Sequence, residues 1–300
     1  MKIAFLKFTS GVILSSKAPF NFLMAHFIGV AVKKNVPYGH GSKKRLDIYG
    51  QRSGHKSSTS LQPVIIDVHG GGWVIGDKKG EAKLCSNLAG QGYIVCSINY
   101  SLAPKNSFPV AIADCLEATT WVCQNIESYG GDPKRIYILG GSAGAHIASF
   151  AIALVKSRKR LTDLSYKLDA SSVKGMILYY GVYDLRSFLS IKRRFLLTYL
   201  QCLINTKDFK NSKLLDEASP INYISREFPP TLLLAGECDP LTPQTLEFSR
   251  KLKDNNVKTK TVIYKESDYP DASHGFQGKL RTGAGKDAFS QVLVFLSRLN

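Results

Sequence analysis

The segment Arg135-Ile-Tyr-Ile-Leu-Gly-Gly-Ser-Ala-Gly-Ala-His-Ile147 joins a strand-like apolar run to a helical pattern through a glycine-rich turn. Within it, Gly140 to Gly144 match the pattern G-x-S-x-G. A serine at a tight strand-to-helix turn stands clear of the sheet, and the glycines beside it let the backbone turn without a Cβ clash. The helix N-terminus beneath the serine also favours developing negative charge. The segment therefore predicts that Ser142 is a nucleophile.

Short apolar runs and helical patterns alternate along the rest of the chain. The predicted strands cover residues 64–68, 93–98, 135–139, 173–180, 231–235 and 259–264, and helical patterns cover 110–126, 143–156 and 244–254. Continuous apolar strands separated by helices indicate a mostly parallel sheet with helices on both faces. A chain of 300 residues is long enough for one large α/β domain of this kind.

A second glycine-rich turn, His69-Gly70-Gly71-Gly72-Trp73, directly follows the first of these strands. Consecutive glycines allow backbone N–H groups to point at a substrate oxygen, and a tetrahedral intermediate needs such donors where its charge develops. We predict an oxyanion hole formed by the N–H groups of Gly71 and Gly72 together with that of Ala143. His69, Gly70 and Trp73 would support this turn.

A general base and an orienting acid are expected after the serine, in the chain order serine, acid, histidine. His274 lies in a loop after the last predicted strand, and Asp239 lies just after the strand at 231–235. Loops at the same edge of a parallel sheet can bring distant residues together. Glu237, Asp268 and Asp271 are near enough in sequence to be alternatives to Asp239.

His146 competes with His274 for the role of base. It lies one helical turn after Ser142, on the same face of the predicted helix. This position beneath the turn predicts a packed, hydrogen-bonded side chain instead of a catalytic one.

Two segments lie outside the regular alternation. Residues 1–32 are rich in apolar side chains but interrupted by Lys7 and Lys17, which predicts an N-terminal helical cap or a membrane-surface segment at 1–35 ahead of a catalytic domain at 36–300. Residues 184–228 separate two strands by more than a crossover helix requires, so they are a candidate helical lid.

The formal net charge of +17 is spread in short runs, and no nucleic-acid-binding motif accompanies it, so nucleic acid is not an expected partner. Peripheral attachment to an anionic membrane is compatible with this charge. The six cysteines form no C-x-x-C pair, which argues against a zinc site or a disulfide framework and favours a cytoplasmic location.

Several motifs occur together in one order along the chain. They are His69-Gly-Gly-Gly-Trp73, Tyr100-Ser-Leu-Ala-Pro104, Phe108-Pro109, Gly140 to Gly144, Asp239-Pro-Leu241 and His274-Gly-Phe276. From about residue 36 to the C-terminus, this set resembles the hormone-sensitive-lipase-like esterases. Residues 129–146 are also similar to carboxylesterases, prenylcysteine methylesterases and formamidases. The resemblance implies an α/β-hydrolase fold, a triad of Ser142, Asp239 and His274, and no metal or cofactor.

The residues and the resemblance together predict hydrolysis of short- to medium-chain carboxylic esters through an acyl-enzyme on Ser142. The alternatives are a formamidase-like hydrolase of small amides and a hydrolase of membrane-lipid or prenyl esters. A non-catalytic receptor on the same fold is less favoured, because no triad member is missing. The expected partner is a small-molecule ester.

Overall fold

In the computed structural model, the described residues are 30–51, 60–157, 170–191 and 193–299. In this part of the chain, eight strands form one sheet in the order β1-β2-β4-β3-β5-β6-β7-β8. The strands are β1 (Val30–Pro37), β2 (Arg45–Gln51), β3 (Gln62–Val68), β4 (Ile94–Ile98), β5 (Gly131–Gly141), β6 (Val173–Tyr179), β7 (Thr231–Gly236) and β8 (Thr259–Tyr264).

Eight α-helices accompany these strands in the same described ranges. They are α1 (Ala82–Gly90), α2 (Val110–Asn125), α3 (Ala143–Ser157), α4 (Leu185–Phe188), α5 (Arg194–Ile204), α6 (Leu214–Glu217), α7 (Thr242–Asp254) and α8 (Gly283–Ser297). The order of strands and helices is that of an open α/β sheet.

Strands β3 to β8 run parallel to one another. Strand β2 pairs antiparallel with both β1 and β4. The predicted mostly parallel sheet is therefore confirmed, and all six predicted strands are present. Both faces of this sheet are covered. Val64 and Ile66 of β3 pack in one apolar cluster with α2, α3 and α7, whereas Ile65 packs in a second cluster with α1 and α8.

The sheet begins earlier than the sequence suggested. Val30 opens strand β1, which pairs with β2 from Val30↔Gln51 to Pro37↔Arg45. The predicted boundary at residue 35 therefore falls inside the sheet. This strand was not predicted because its apolar pattern is interrupted by Lys33, Lys34 and Asn35. It lies at the edge of the sheet, where most of its side chains face solvent. The remaining part of the predicted N-terminal cap, residues 1–29, lies outside the described residues.

The candidate lid at 184–228 contains α4, α5 and α6 and lies over the start of α3. The N–H of Phe108 donates to the carbonyl of Leu203 at 2.9 Å, and the N–H of Ile221 donates to the carbonyl of Tyr183 at 3.1 Å. These contacts tie the segment to the domain. Its role as a lid remains a prediction.

No helix in the described ranges has the length and apolar character needed to cross a bilayer.

Candidate active site

The serine turn lies between β5 and α3, and its backbone is strained. Ser142 has a φ of +56°, in the left-handed region that side-chain-bearing residues rarely adopt. A hydrogen bond from the N–H of Ser142 to the carbonyl of Tyr179, at 2.9 Å, anchors the turn to β6. The fold thus holds the Ser142 side chain at the carboxyl end of the parallel strands, where open α/β sheets bind ligands.

Gly140 and Gly144 are required by close approach of the backbone. A Cβ on Gly144 would lie 2.0 Å from the carbonyl oxygen of Val68, and a Cβ on Gly140 would lie 2.7 Å from the backbone of Gly144. No side chain fits at either position unless the backbone shifts. The two glycines therefore let the first turn of α3 sit directly against β3.

Asp239 and His274 meet on the loops that follow β7 and β8. His274 Nδ1 lies 2.7 Å from Asp239 Oδ2, and the Asp239 side chain is only 1% exposed while that of His274 is 45% exposed. The N–H of Leu241 donates to Asp239 Oδ1 at 2.8 Å, which fixes the carboxylate. The carboxylate accepts the Nδ1 proton, so Nε2 of His274 is left free to accept one.

The three alternative acids form hydrogen bonds to groups other than His274. Glu237 Oε2 accepts from the N–H of Glu266 at 3.0 Å and is exposed. Asp271 Oδ2 accepts from the N–H of Ala284 at 3.0 Å, at the start of α8. Asp268 Oδ1 accepts from the hydroxyl of Ser267 at 3.0 Å. Among the four candidates, the geometry pairs Asp239 with His274.

Ser142 and His274 line the same cavity, which has a volume of about 420 Å³. No hydrogen bond joins the two side chains among those of the described residues. Such contacts are often long in the absence of substrate and shorten in the substrate complex. The shared cavity therefore leaves room for a substrate carbonyl between them.

The glycine turn after β3 borders this cavity. Gly70 and Gly71 line it, and a Cβ on Gly70 would lie 3.6 Å from Ser142 Cβ. Gly71 and Gly72 have positive φ values of +121° and +57°. A Cβ on Gly72 would meet the ring of Tyr199 in α5 at 2.3 Å, so this glycine lies directly beneath the candidate lid. The positions of Gly71 and Ser142 are compatible with the predicted oxyanion hole.

His69 holds the start of the glycine turn. Its Nδ1 lies 2.7 Å from the carbonyl oxygen of Gly70, to which it donates. The ring stacks on Tyr100 with 4.3 Å between centroids, and the Tyr100 hydroxyl donates to the His69 carbonyl at 3.0 Å. Burial lowers the pKa of His69 to about 4, so the ring is neutral near pH 7.

His146 joins three parts of the site through one neutral ring. The indole N–H of Trp73 donates to His146 Nδ1 at 3.0 Å. His146 Nε2 lies 2.8 Å from the carbonyl oxygen of Ala218, to which it donates. The ring therefore connects the glycine turn and α3 to the candidate lid. The prediction of a packed, hydrogen-bonded His146 is confirmed.

Acid is expected to weaken the fold through His146. Burial lowers its pKa from 6.5 to about 4, so its contribution to stability is present above pH 6.5 and lost as the pH falls towards 4. A proton added to His146 Nδ1 would also point at the Trp73 N–H, which uses that nitrogen as its hydrogen-bond acceptor. Between pH 7 and pH 4.5, we expect the wild type to lose about 2 kcal/mol more unfolding free energy than His146→Gln. Urea unfolding at both pH values measures this difference.

The control for this experiment is His40→Gln, which alters an exposed histidine. It should keep the pH dependence of the wild type. An equal loss of stability in the wild type and His146→Gln would show that His146 does not sense acid.

Within the described ranges, no cluster of three or more His, Cys, Asp or Glu side chains could hold a metal ion. None of the six cysteines, all of which lie in the described ranges, forms a disulfide.

Several side chains of the cavity were not predicted from the sequence, among them Tyr180 and Gln277. Tyr180, directly after β6, and Gln277, three residues after His274, both line the cavity beside Ser142. The ring of Tyr180 lies 4.4 Å from that of His274, measured between centroids. Neither position belongs to a motif, so the sequence carried no signal for them.

The fold and the site together define an α/β-hydrolase with a serine at the strand-to-helix turn and an Asp–His pair on later loops. The chain belongs to the BD-FAE family, whose model matches residues 46–255. It is thereby placed in the esterase group of the α/β-hydrolases.

Named relatives agree with this placement. The chain is 36% identical to esterase LipQ of Mycobacterium tuberculosis over 250 residues, covering 82% of this chain and 58% of that protein. It is 29% identical to the isoprenylcysteine alpha-carbonyl methylesterase ICME of Arabidopsis thaliana over 277 residues, covering 90% and 63%. The chain thus spans about three-fifths of the length of these curated relatives.

The fold is similar to that of esterase B from Lactobacillus rhamnosis, with a TM-score of 0.83 and 19% identity over 100% of this chain and 97% of that one. The esterase LipW of Mycobacterium marinum gives a TM-score of 0.76 and 23% identity over 99% and 90%. At these identities the likeness supports the fold.

Proposed function

We propose that this protein is a carboxylic ester hydrolase that works through an acyl-enzyme on Ser142. The observation that carries the proposal is the 2.7 Å contact between Asp239 and His274 at the rim of the cavity that Ser142 also lines. The esterase names of the relatives support the bond type. Because residues of all three roles are present, the non-catalytic receptor has no support from the site.

The first half of the reaction forms the acyl-enzyme. His274 Nε2 takes the proton from Ser142 Oγ as the oxygen attacks the ester carbonyl carbon. The carbonyl oxygen becomes an oxyanion, for which the N–H groups of Gly71, Gly72 and Ala143 would be the donors. When the intermediate collapses, the bond to the alcohol breaks and His274 gives its proton to the leaving oxygen.

The second half releases the acid. Water attacks the acyl carbon while His274 Nε2 takes one of its protons, and the bond to Ser142 Oγ breaks as that proton returns to the serine. Asp239 keeps the Nδ1 proton in place and stabilises the imidazolium in both halves. The buried carboxylate therefore acts on the orientation and the charge of His274, without contacting the substrate.

Chain length of the acyl group is a testable part of the proposal. A cavity of about 420 Å³ is at the small end for ligand sites. With p-nitrophenyl esters from acetyl to palmitoyl, we expect kcat/KM to be highest for short or medium chains and at least about tenfold lower for palmitoyl. A steady rise with chain length would favour a membrane-lipid or prenyl ester instead.

A small-amide hydrolase would use the same residues, with His274 protonating a leaving amine. Comparing an aryl formamide with the matched aryl formate ester separates the two bond types. A higher kcat/KM for the formamide would replace the ester proposal. Labelling by a fluorophosphonate, followed by mass spectrometry of the peptide that carries Ser142, tests the nucleophile under either proposal.

Peripheral membrane attachment through residues 1–29 is a separate proposal, supported by the apolar character of that segment and the net charge of +17. Because β1 begins at Val30, a deletion variant should end at residue 29 to leave the sheet intact. Loss of pelleting with anionic vesicles after this deletion would support the attachment. Undiminished pelleting at low salt that disappears at high salt would assign it to the basic surface alone.

A further inference from the structure

Two buried polar side chains that line the cavity have unsatisfied hydrogen-bonding capacity. Tyr180 is 1% exposed and Gln277 is 8% exposed, yet in the described part of the chain no acceptor meets the proton of the Tyr180 hydroxyl and no donor meets Gln277 Oε1. Buried polar groups are almost always hydrogen-bonded, because their desolvation otherwise costs free energy. Both residues line the cavity, so a ligand bound there could supply the missing partners once the two side chains turn their buried atoms towards it.

The two end groups approach the same point beside the nucleophile. A Cβ placed on Gly141 would lie 3.0 Å from Gln277 Nε2 and 3.5 Å from the Tyr180 hydroxyl. Gly141 directly precedes Ser142, so a substrate held by the serine would pass close to both groups. The absence of a Cβ at this position keeps the space open.

The backbone of Tyr180 is held in an unusual conformation that directs its ring to this place. Its φ is +33°, and its N–H donates to the carbonyl of Leu234 at 2.7 Å. A strained residue persists only where the surrounding structure enforces it, and such residues cluster at functional sites. The ring reaches within 4.4 Å of the His274 ring, measured between centroids.

Tyr180 and Gln277 together offer one hydrogen-bond donor and one acceptor. Burial raises the pKa of Tyr180 well above its ordinary value of 10.0, so its hydroxyl keeps its proton at neutral pH. The N–H of Gly275 faces the same oxygen, but an N–H can only donate, so the hydroxyl proton still lacks an acceptor. Gln277 Oε1 offers the complementary acceptor. The smallest substrate group that both accepts and donates is a hydroxyl.

The position of Tyr180 and Gln277 indicates which half of the ester carries that hydroxyl. Tyr180 contacts His274, and Gln277 follows His274 by three residues. In the proposed mechanism His274 protonates the leaving oxygen, so the alcohol half of the ester lies on this side of Ser142. The glycine turn at Gly70 and Gly71 borders the cavity beside the serine and would receive the carbonyl oxygen.

We propose that Tyr180 and Gln277 are specificity-determining residues that bind a second hydroxyl on the leaving alcohol, so that the protein prefers esters of diols and polyols. The inference rests on the ester hydrolase proposed above. The substrate hydroxyl accepts a hydrogen bond from Tyr180 Oη and donates one to Gln277 Oε1. An alcohol with a methyl group at that place leaves both atoms buried and unpartnered, which lowers its transition-state binding.

The experiment uses 2-hydroxyethyl butyrate and propyl butyrate, which differ only by a hydroxyl in place of a methyl group. We measure the ratio of kcat/KM for the two esters in the wild type, Tyr180→Phe and Gln277→Met. The ratio is expected to fall about tenfold in each variant. The difference in intrinsic reactivity between the esters cancels when variants are compared. Gln277→Met keeps the test available if Tyr180→Phe does not fold, as judged by circular dichroism.

Tyr183→Phe is the matched control. Tyr183 is also fully buried with an unpartnered hydroxyl, but it stacks on Phe248 and is not among the residues that line the cavity. Its ratio should equal that of the wild type. Hydrolysis of both esters with an unchanged ratio in Tyr180→Phe and Gln277→Met would overturn this inference and leave the ester hydrolase standing. Failure of the folded wild type to hydrolyse either ester, or any p-nitrophenyl ester, would overturn both.

Discussion

Replacing Ser142 with alanine is expected to lower kcat/KM for p-nitrophenyl butyrate by at least about 10⁴-fold. The substitution removes the only atom that can form the acyl-enzyme, while the cavity, the Asp239–His274 pair and the glycine turn remain. Alanine has the same Cβ as serine, so the strained φ of +56° is no worse tolerated. Steady-state hydrolysis of the same ester by wild type and variant, prepared side by side, measures the effect.

A serine in the helix that follows Ser142 provides the control for this result. Ser149 is fully buried in α3, its hydroxyl donates to the carbonyl of His146 at 3.2 Å, and it is not among the cavity-lining residues. Ser149→Ala should keep kcat/KM within about threefold of the wild type, although it loses some stability. If Ser142→Ala retained a tenth or more of the wild-type activity, the acyl-enzyme mechanism would be wrong.

The parts of the fold that the sequence predicted are those with strong local patterns. Strands β3 to β7 each contain a buried apolar run, and the turn at Gly140 to Gly144 joins a strand to a helix through glycines within thirteen residues. Such features depend on neighbours in sequence. Strands β1 and β2 were not predicted. The burial pattern of β1 is irregular, and the antiparallel pairing of β1 with β2 and of β2 with β4 is a tertiary property.

The site shows the same division between local and tertiary information. The serine and the glycine turn are recognisable because close backbone approach demands glycine, as the 2.0 Å distance from a Gly144 Cβ to the Val68 oxygen shows. The roles of Tyr180 and Gln277 at the cavity could not be predicted from the sequence. They are separated by 97 residues, and their unpartnered atoms become evident only when burial and contacts are known.

The identification of the orienting acid depends on both local and tertiary information. Asp239 and Glu237 both follow β7, so chain order alone leaves either as a candidate. The turn after the strand decides between them. The N–H of Asp239 donates to the carbonyl of Gly236 at 3.0 Å and that of Leu241 to the Asp239 carboxylate at 2.8 Å, which directs this side chain inward to His274.

Asp239→Asn is accordingly expected to lower kcat by about 10³- to 10⁴-fold. An asparagine amide can donate to Nδ1 of His274, which places the ring proton on Nε2 and leaves no lone pair to accept the Ser142 proton. The charge that stabilises the imidazolium is lost as well. Because the side chain keeps its size in a position that is 1% exposed, the packing should persist. Stopped-flow or steady-state assays with p-nitrophenyl butyrate measure kcat, and circular dichroism checks the fold.

Glu237→Gln is the matched change, since it also replaces a carboxylate by an amide two residues away. Glu237 is exposed and its carboxylate accepts from the N–H of Glu266, a bond that the glutamine oxygen can also accept. Its kcat should stay within about twofold of the wild type. The reverse pattern, with Glu237→Gln inactive and Asp239→Asn active, would require the loop after β7 to rearrange so that Glu237 reaches His274. Equal losses in both variants would mean that the two carboxylates act through their combined electric field instead of one oriented hydrogen bond, because of these two side chains it is Asp239 that contacts the His274 ring.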